Sequence, residues 1–274
     1  MPRARRPRRA RALRAAAPAS RRPQPIESYF RDGYYGLYRH ILLPEEQTAA
    51  EAAGLLRMLA PAPGARWLDV PCGFGRHLLA LRPLRPDLRL AGGDLNDAYL
   101  REPGLAAAAA VARCDMRRLP YARGAFDAVL NMLNSFGYYP GEDRAVLHEW
   151  ARVLRPGGWL VLDLPSRQAL LRLVRVQPTI RYAAGEREAI ESFEWDARSQ
   201  CLTNQTRWRW PGGREKAGYC VRLYTPAQMR AMLAREGFEV VGCYGDFCGG
   251  RFDPHRSDRM LLLARRRKAA GNHL

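Results

Sequence analysis

Lysine is nearly absent from this chain of 274 residues, and its scarcity changes what the high net charge means. Only Lys216 and Lys268 are lysines among the 45 basic residues, and the formal net charge is +18. Nine arginines lie in residues 1–26, which contain no acid, and four more basic residues lie at 265–268, so the rest of the chain has a net charge of only +5. A GC-rich coding sequence explains this arginine bias more simply than phosphate binding does, which argues against nucleic acid as a partner of the body.

Long apolar runs are also missing. No stretch approaches the roughly 18 to 20 apolar residues of a membrane-spanning helix. Six cysteines are present, but they are scattered without metal-ligand spacing, and even Cys243 and Cys248 are too far apart for a Cys-x-x-Cys pair. We therefore predict a cytoplasmic protein with reduced thiols, without a bound metal and without a membrane segment.

Residues 1–26 consist largely of arginine, alanine and proline, a composition that predicts a disordered basic extension ahead of a single domain at 27–274. The lack of acids is compatible with a transit peptide, although five prolines would interrupt its amphipathic helix. A secretory signal would need an apolar core of about seven or more residues, which this segment lacks. A functionless extension, such as one translated from an upstream start codon, is the interpretation we favour.

A strand, a glycine loop and a helix are indicated by residues 67–77, Trp-Leu-Asp-Val-Pro-Cys-Gly-Phe-Gly-Arg-His. Glycines allow a ligand to approach the backbone closely, and the start of a helix offers unpaired N–H groups. Leu78 stands where a dinucleotide-binding loop has its third glycine or alanine. Arg76 and His77 stand where a nucleoside triphosphate loop has Lys and Ser or Thr. Both of those ligand classes are therefore disfavoured.

The remaining pattern, Asp-x-x-Cys-Gly-x-Gly at 69–75, resembles motif I of the class I methyltransferases that use S-adenosylmethionine, with Pro71 where that family most often has glycine. Leu-x-Pro-Gly-Gly at 154–158, between a helix and an apolar strand, is a second resemblance. The resemblance implies a methyltransferase with S-adenosylmethionine as its cofactor and a Rossmann-like α/β fold, with a seven-stranded, mostly parallel sheet and helices on both faces. It also implies a set of cofactor-binding residues: Asp69, Pro71, Gly73, Gly75, Arg76, Asp94, Leu95, Asp115, Met116, Asn131 and Tyr34.

Two of these residues are acids that follow predicted strands. Asp94 lies 19 residues beyond Gly75, close to the spacing at which an acid after a Rossmann-type loop reaches the ribose hydroxyls. Asp115 follows the third strand, at the position where the family accepts a hydrogen bond from adenine. A turn-capping aspartate is the alternative for Asp115.

Two segments are expected to lie over the site. The aromatic-rich lead-in at 29–38, which contains Tyr34, either covers the cofactor as a lid, as it often does in the family, or packs on the edge of the sheet. After the fifth strand, residues 181–224 form an antiparallel β insertion, with alternating strands at 189–195, 202–210 and 219–224. The insertion would roof a substrate pocket or form the face of a homodimer.

The sequences at 69–77 and 131–138 resemble a bacterial group of small-molecule methyltransferases that includes natural-product tailoring enzymes. This resemblance implies methyl transfer to N or O of a small molecule by in-line displacement.

The alternatives are an RNA or protein methyltransferase and a non-catalytic binding module. No Asn/Asp-Pro-Pro-aromatic sequence follows the fourth strand, which argues against methylation of base amino groups. We assign no catalytic residue; His255 is a weak candidate base, and His77 is expected to have a structural or cofactor-contact role.

Overall fold

The computed structural model describes residues 26–41 and 44–268, so nearly all of the predicted N-terminal extension lies outside the described residues. A seven-stranded sheet forms the larger layer. Its strands are β1 (Arg66–Asp69), β2 (Arg89–Asp94), β3 (Ala110–Arg113), β4 (Phe126–Asn131), β5 (Leu154–Pro165), β10 (Phe238–Tyr244) and β11 (Arg259–Arg266). The helices are α1 (Asp32–Ile41), α2 (Glu45–Leu59), α3 (Arg76–Leu84), α4 (Leu105–Ala108), α5 (Asp143–Val153), α6 (Arg167–Val176) and α7 (Pro226–Arg235).

The strand order is β10-β11-β5-β4-β1-β2-β3. Strands β1 to β5 run parallel, and β11 runs antiparallel to both of its neighbours. Asp69, at the end of β1, pairs with Gly92 of β2 and Leu130 of β4, so the loops after these three strands open at one edge of the sheet. The predicted Rossmann-like sheet is confirmed.

Apolar side chains cover both faces of this sheet. One core cluster joins Trp150 of α5 and Leu233 of α7 to β4, β5 and β11, and the other joins Leu55 of α2 and Leu81 of α3 to the opposite face. The N-terminus of α7 is capped, because Thr225 and Gln228 form a reciprocal capping box. These layers hold the carboxyl edge of the sheet in a fixed frame.

A second sheet is antiparallel, in the order β6-β7-β8-β9. Its strands are β6 (Thr179–Ala184), β7 (Arg187–Asp196), β8 (Cys201–Trp210) and β9 (Gly213–Arg222). The sequence indicated three of these strands and neither β6 nor α6. Strand β6 lies at the edge of the sheet, so its alternation between exposed and half-buried residues is weak. Helix α6 was missed although Leu170, Leu171 and Val174 recur at helical spacing.

The lead-in packs against this second sheet. Tyr29 and Leu37 are buried in a cluster with Ala189, Trp208 and Ala217. The lead-in therefore lies between the second sheet and the carboxyl edge of the first.

No helix in the described ranges is long and apolar enough to cross a membrane. Within the same ranges, no group of three or more His, Cys, Asp or Glu side chains could hold a metal ion.

Candidate functional site

The main cavity opens at the carboxyl ends of β1, β2 and β4. It is bounded by the loops that follow these strands and is partly open to solvent. The lead-in closes one side through Ile26, Phe30 and Tyr34. Of the eleven residues predicted to bind cofactor, eight line this cavity: Tyr34, Asp69, Pro71, Gly73, Arg76, Asp94, Leu95 and Met116.

The loop between β1 and α3 forms the floor of the cavity. The Val70–Pro71 peptide is cis, and Gly73 and Gly75 both have positive φ, at 54° and 74°. The two glycines serve different ends: a Cβ added to Gly73 would meet nothing within 4 Å, whereas one added to Gly75 would lie 2.3 Å from Leu105 Cδ1. Gly73 therefore exposes its backbone to the cavity, and Gly75 allows close packing below it.

Asp69 presents a buried carboxyl group to the cavity. The residue is 1% exposed, and neither carboxyl oxygen has a hydrogen-bond partner among the described residues. Nδ1 of His77 lies 3.9 Å from Oδ2 of Asp69, beyond hydrogen-bond distance. Burial raises the pKa of Asp69 to about 8. A cationic ligand group would satisfy this carboxyl and favour its ionised form.

Glu51 of α2 organises the first turn of α3. Its carboxylate lies 2.7 Å from Nη1 of Arg76 and 3.0 Å from Nε2 of His77, and it accepts a hydrogen bond from Nη1 of Arg259 at 2.9 Å. Burial alone would raise the pKa of Glu51, but His77 and Arg76 outweigh it and hold the pKa well below its ordinary value. Burial, with the charge of Arg76, lowers the pKa of His77 to about 4, so this imidazole is neutral near pH 7.

Sequence reasoning missed Glu51, although it left a signal. An acid stands on the stripe of α2 that buries Ala52, Leu55 and Leu59, and a buried acid needs a cationic partner. The sequence did not show that the partner is Arg76, whose other terminal nitrogen, Nη2, is buried without a partner in the described part of the chain.

Asp94, at the end of β2, joins the two neighbouring loops. Its carboxylate accepts hydrogen bonds from the backbone N–H of Gly73 and of Asn96, each at 2.8 Å. Burial raises its pKa. A carboxylate offers about four acceptor positions, so Asp94 keeps capacity for ligand hydroxyls at the cavity wall.

Four sequence-predicted residues lie outside the cavity lining. Gly75 lies beneath the loop, and buried Asn131 donates a hydrogen bond to the carbonyl of Val70 at 2.8 Å. Asp115 accepts hydrogen bonds from the backbone and guanidinium of Arg117, the turn arrangement that was the alternative for this residue. His255 is exposed in the loop before β11, where its carbonyl accepts from Arg172.

A second cavity adjoins the first beneath the second sheet. Leu133 and Tyr138 line both cavities. The second cavity has apolar walls from α6 and the second sheet, including Leu170, Phe193 and Val221, and a charged end formed by Asp163, Asp258 and Arg259. The structure thus places two adjoining cavities over the carboxyl edge of the parallel sheet, where ligands of such folds bind.

Comparison with known proteins identifies the domain. Residues 68–158, about a third of the chain, match the family model described as a methyltransferase domain. This segment of the chain is therefore similar to methyltransferase domains. The matched range contains the end of β1, the glycine loop, Asp94 and strands β2 to β4, so the similarity covers the edge of the sheet at the main cavity.

Solved structures support the fold over most of the length of the chain. A methyltransferase from Clostridium acetobutylicum has a TM-score of 0.71 at 15% identity, covering 84% of this chain and 96% of that one. The CcbJ methyltransferase from Streptomyces caelestis has a TM-score of 0.69 at 20% identity, covering 81% and 90%. CalS10 from Micromonospora echinaspora, an amino pentose methyltransferase, has a TM-score of 0.60 at 21% identity, covering 86% and 98%. No curated protein matches the sequence significantly.

The polar atoms of the main cavity fit the cofactor of this enzyme class. S-adenosylmethionine carries an amino group, a carboxylate and two ribose hydroxyls. The cavity offers an unpartnered carboxyl at Asp69, a buried guanidinium nitrogen at Arg76 and a carboxylate with spare acceptor positions at Asp94. The amino group, the carboxylate and the ribose hydroxyls of the cofactor therefore each find a group of suitable charge.

Proposed function

We propose that this protein is an S-adenosylmethionine-dependent methyltransferase that transfers a methyl group to N or O of a small molecule by in-line displacement. The observation that carries the proposal is the junction of the two cavities at Leu133 and Tyr138. The first cavity suits the cofactor, and the second provides an adjoining space for an acceptor. A reaction of two bound molecules needs this arrangement, because positioning alone contributes about 7 to 11 kcal/mol to such a step.

We assign cofactor-binding roles to four residues. Asp69 accepts hydrogen bonds from the amino group, Arg76 binds the carboxylate, the backbone at Gly73 lies along the cofactor, and Asp94 accepts the ribose hydroxyls. These roles are supported by burial and missing partners at Asp69 and Arg76 and by the open space at Gly73. Bound S-adenosylmethionine supplies a methyl group activated by its sulfonium leaving group.

The lead-in excludes water from the reaction space. Phe30 and Tyr34 lie between the main cavity and the second sheet, and their rings stack edge to face at 4.8 Å. Burial raises the pKa of Tyr34 to about 12, with Glu191 adding to the shift. Tyr34 therefore stays a neutral phenol near pH 7 and acts as a cover of the site.

The geometry favours a small acceptor over RNA. In the Arg-Trp-Arg-Trp run at 207–210, Trp208 is buried in the core beneath the second sheet while Arg207 and Arg209 face solvent. A buried tryptophan offers no surface on which a base could stack. Two structural neighbours act on sugars by their names: CalS10 is an amino pentose methyltransferase, and KedS8 is a sugar N-methyltransferase.

Calorimetric titration with S-adenosylmethionine and S-adenosylhomocysteine tests the cofactor site. We expect micromolar affinity for the wild type and at least roughly tenfold weaker binding for Asp94→Ala, because a hydrogen bond to a charged group contributes about 1.5 to 3 kcal/mol. Asp97→Ala is the matched control, since the exposed Asp97 pairs only with Arg101 among the described residues. Failure of the wild type to bind either compound would refute the proposal.

A radiolabelled methyl donor then tests the acceptor class. Label is expected in a metabolite fraction and not in RNA or protein fractions. Label that appears in RNA or protein would replace the small-molecule proposal with the corresponding macromolecular one.

A further inference from the structure

We propose that Asp163 binds the amino group of the methyl acceptor, so that the acceptor is an amine with an apolar body. This inference rests on the proposed function and adds to it a substrate class and a specificity-determining residue. It follows from the position of Asp163, from its hydrogen bonds and from the composition of the second cavity.

Asp163 lies at the carboxyl end of β5, where the second cavity meets the first. It is 1% exposed and lines the second cavity together with Leu133 and Asn134. Leu133 also lines the cofactor cavity, and its backbone N–H donates to Oδ2 of Asp163 at 3.2 Å. A group bound to Asp163 therefore lies beside the residue that separates the two cavities.

The carboxylate of Asp163 is only partly satisfied by the protein. Its cationic neighbour is Arg259, whose Nη1 lies 3.7 Å from Oδ2, beyond hydrogen-bond distance. The same Nη1 donates to Glu51 at 2.9 Å, and that bond draws the guanidinium away from Asp163. A buried carboxylate with about four acceptor positions and one backbone hydrogen bond is incompletely satisfied, and a ligand donor would complete it.

The charged surroundings favour an ammonium group over a hydroxyl group. Within the described chain, the charged residues around the second cavity are Asp163, Asp258 and Arg259, and Arg259 is already bonded to Glu51. Burial and the negative charge of Glu51 raise the pKa of Asp163, Arg259 and Arg76 lower it, and the result is about 6. Asp163 is therefore mainly ionised above pH 7 and pairs with the ammonium form of the acceptor. The nitrogen can accept the methyl group only after its proton passes to the carboxylate of Asp163, which frees the nitrogen lone pair.

The rest of the cavity suits an apolar body. Leu170 and Leu173 of α6 face Phe193, Leu202 and Val221 of the second sheet across it. An apolar group placed between them would be removed from water at about 25 cal/mol per Å². The cavity therefore combines one acidic end with apolar walls, and the acidic end is the one next to the cofactor cavity.

Two probe molecules of nearly equal shape test this inference. Benzylamine and benzyl alcohol are titrated separately into full-length enzyme saturated with S-adenosylhomocysteine at pH 7.5. We expect benzylamine to bind at least roughly tenfold more tightly, because charge-assisted hydrogen bonds are about twice as strong as neutral ones. Asp163→Asn should remove this preference, because the amide keeps the shape and loses the charge. Asp97→Asn, at an exposed acid that lines neither cavity, is the control and should keep it.

The outcomes separate this inference from the proposed function. Failure of S-adenosylhomocysteine to bind the wild type would count against the methyltransferase site itself. With that compound bound, equal affinities for the two probes, or binding of neither at millimolar concentration, would overturn the role of Asp163. A preference that survives Asp163→Asn would overturn it as well. If Asp163→Asn fails to fold, the wild-type comparison and Asp258→Asn, at the other acid of the second cavity, still decide, since loss of the preference in Asp258→Asn would assign the amine to Asp258.

Discussion

Replacing Asp69 with asparagine should abolish a proton release that accompanies cofactor binding to the wild type. The carboxyl of Asp69 is buried without a hydrogen-bond partner among the described residues, and burial raises its pKa to about 8. At pH 7 the free enzyme therefore carries this group mainly protonated. Binding of the cofactor's cationic amino group favours the carboxylate, so the proton must leave.

The number of protons released follows from the pKa of Asp69. A group with a pKa of about 8 is about nine-tenths protonated at pH 7, so complete ionisation on binding releases about 0.9 proton. Glu51 and His77 add little to this number. The pKa of Glu51 is held well below its ordinary value, and that of His77 is lowered to about 4, so neither changes protonation near pH 7.

The release is measured by titrating S-adenosylhomocysteine in two buffers of different ionisation enthalpy at pH 7. The difference between the two apparent binding enthalpies gives the number of protons. S-adenosylhomocysteine is suitable because it keeps the amino and carboxylate groups. Asp69→Asn is nearly the same size and cannot ionise, so its apparent enthalpy should not depend on the buffer.

The pH dependence of the stability of the free enzyme is an independent measure of the raised pKa of Asp69. The pKa of Asp69 is raised from 3.8 to about 8, so between these values the folded state binds more protons than the unfolded state. The contribution of Asp69 to stability is therefore present below about pH 4 and is lost as the pH rises through 8. The difference in stability between Asp69→Asn and wild type should grow in favour of the variant over that window. Absence of proton release from the wild type, or equal release from the variant, would refute the reasoning.

Substitutions at three further places, with one control, test the residues that support the site. Glu51→Ala should lower the free energy of unfolding by about 3 to 5 kcal/mol, because it leaves the buried guanidinium of Arg76 without the carboxylate that pairs with it. A loss below about 1 kcal/mol in denaturant unfolding would contradict this prediction. Gly73→Ala and Gly64→Ala each place a Cβ in open space at a similar positive φ, 54° and 71°. Both variants should therefore lose about 1 kcal/mol of stability. Only Gly73→Ala should weaken S-adenosylhomocysteine binding. Thr225→Ala removes a capping box and should cost about 1 kcal/mol without changing that affinity.

The main sheet and its glycine loop could be predicted because their signals are local. Strand β1 ends in Asp69, and Gly73 and Gly75 follow within the next six residues. Alternation of apolar strands with amphipathic helices predicts a parallel sheet, and parallel strands bring their carboxyl ends to one edge. Eight of the eleven expected cofactor residues consequently line one cavity.

The second sheet was predicted less completely. Strands β7 and β8 have clear alternation, whereas β6 lies at the sheet edge with half-buried and exposed residues in turn. The sequence also left open whether the lead-in covers the site or packs on the edge of the sheet. The structure places Tyr29 in the core beneath the second sheet and Tyr34 in the lining of the cavity, a position set by contacts with strands more than a hundred residues away.

By itself the sequence determined the fold class, the cofactor loop and the edge of the sheet where ligands bind, because each depends on spacing within a short segment. Only the tertiary structure brought Glu51 to Arg259, 208 residues further along the chain, and placed Asp163 where the two cavities meet. Such pairs leave no periodic pattern in the sequence. They form because a buried charge needs a partner, and the folded chain decides which residue is near enough to serve.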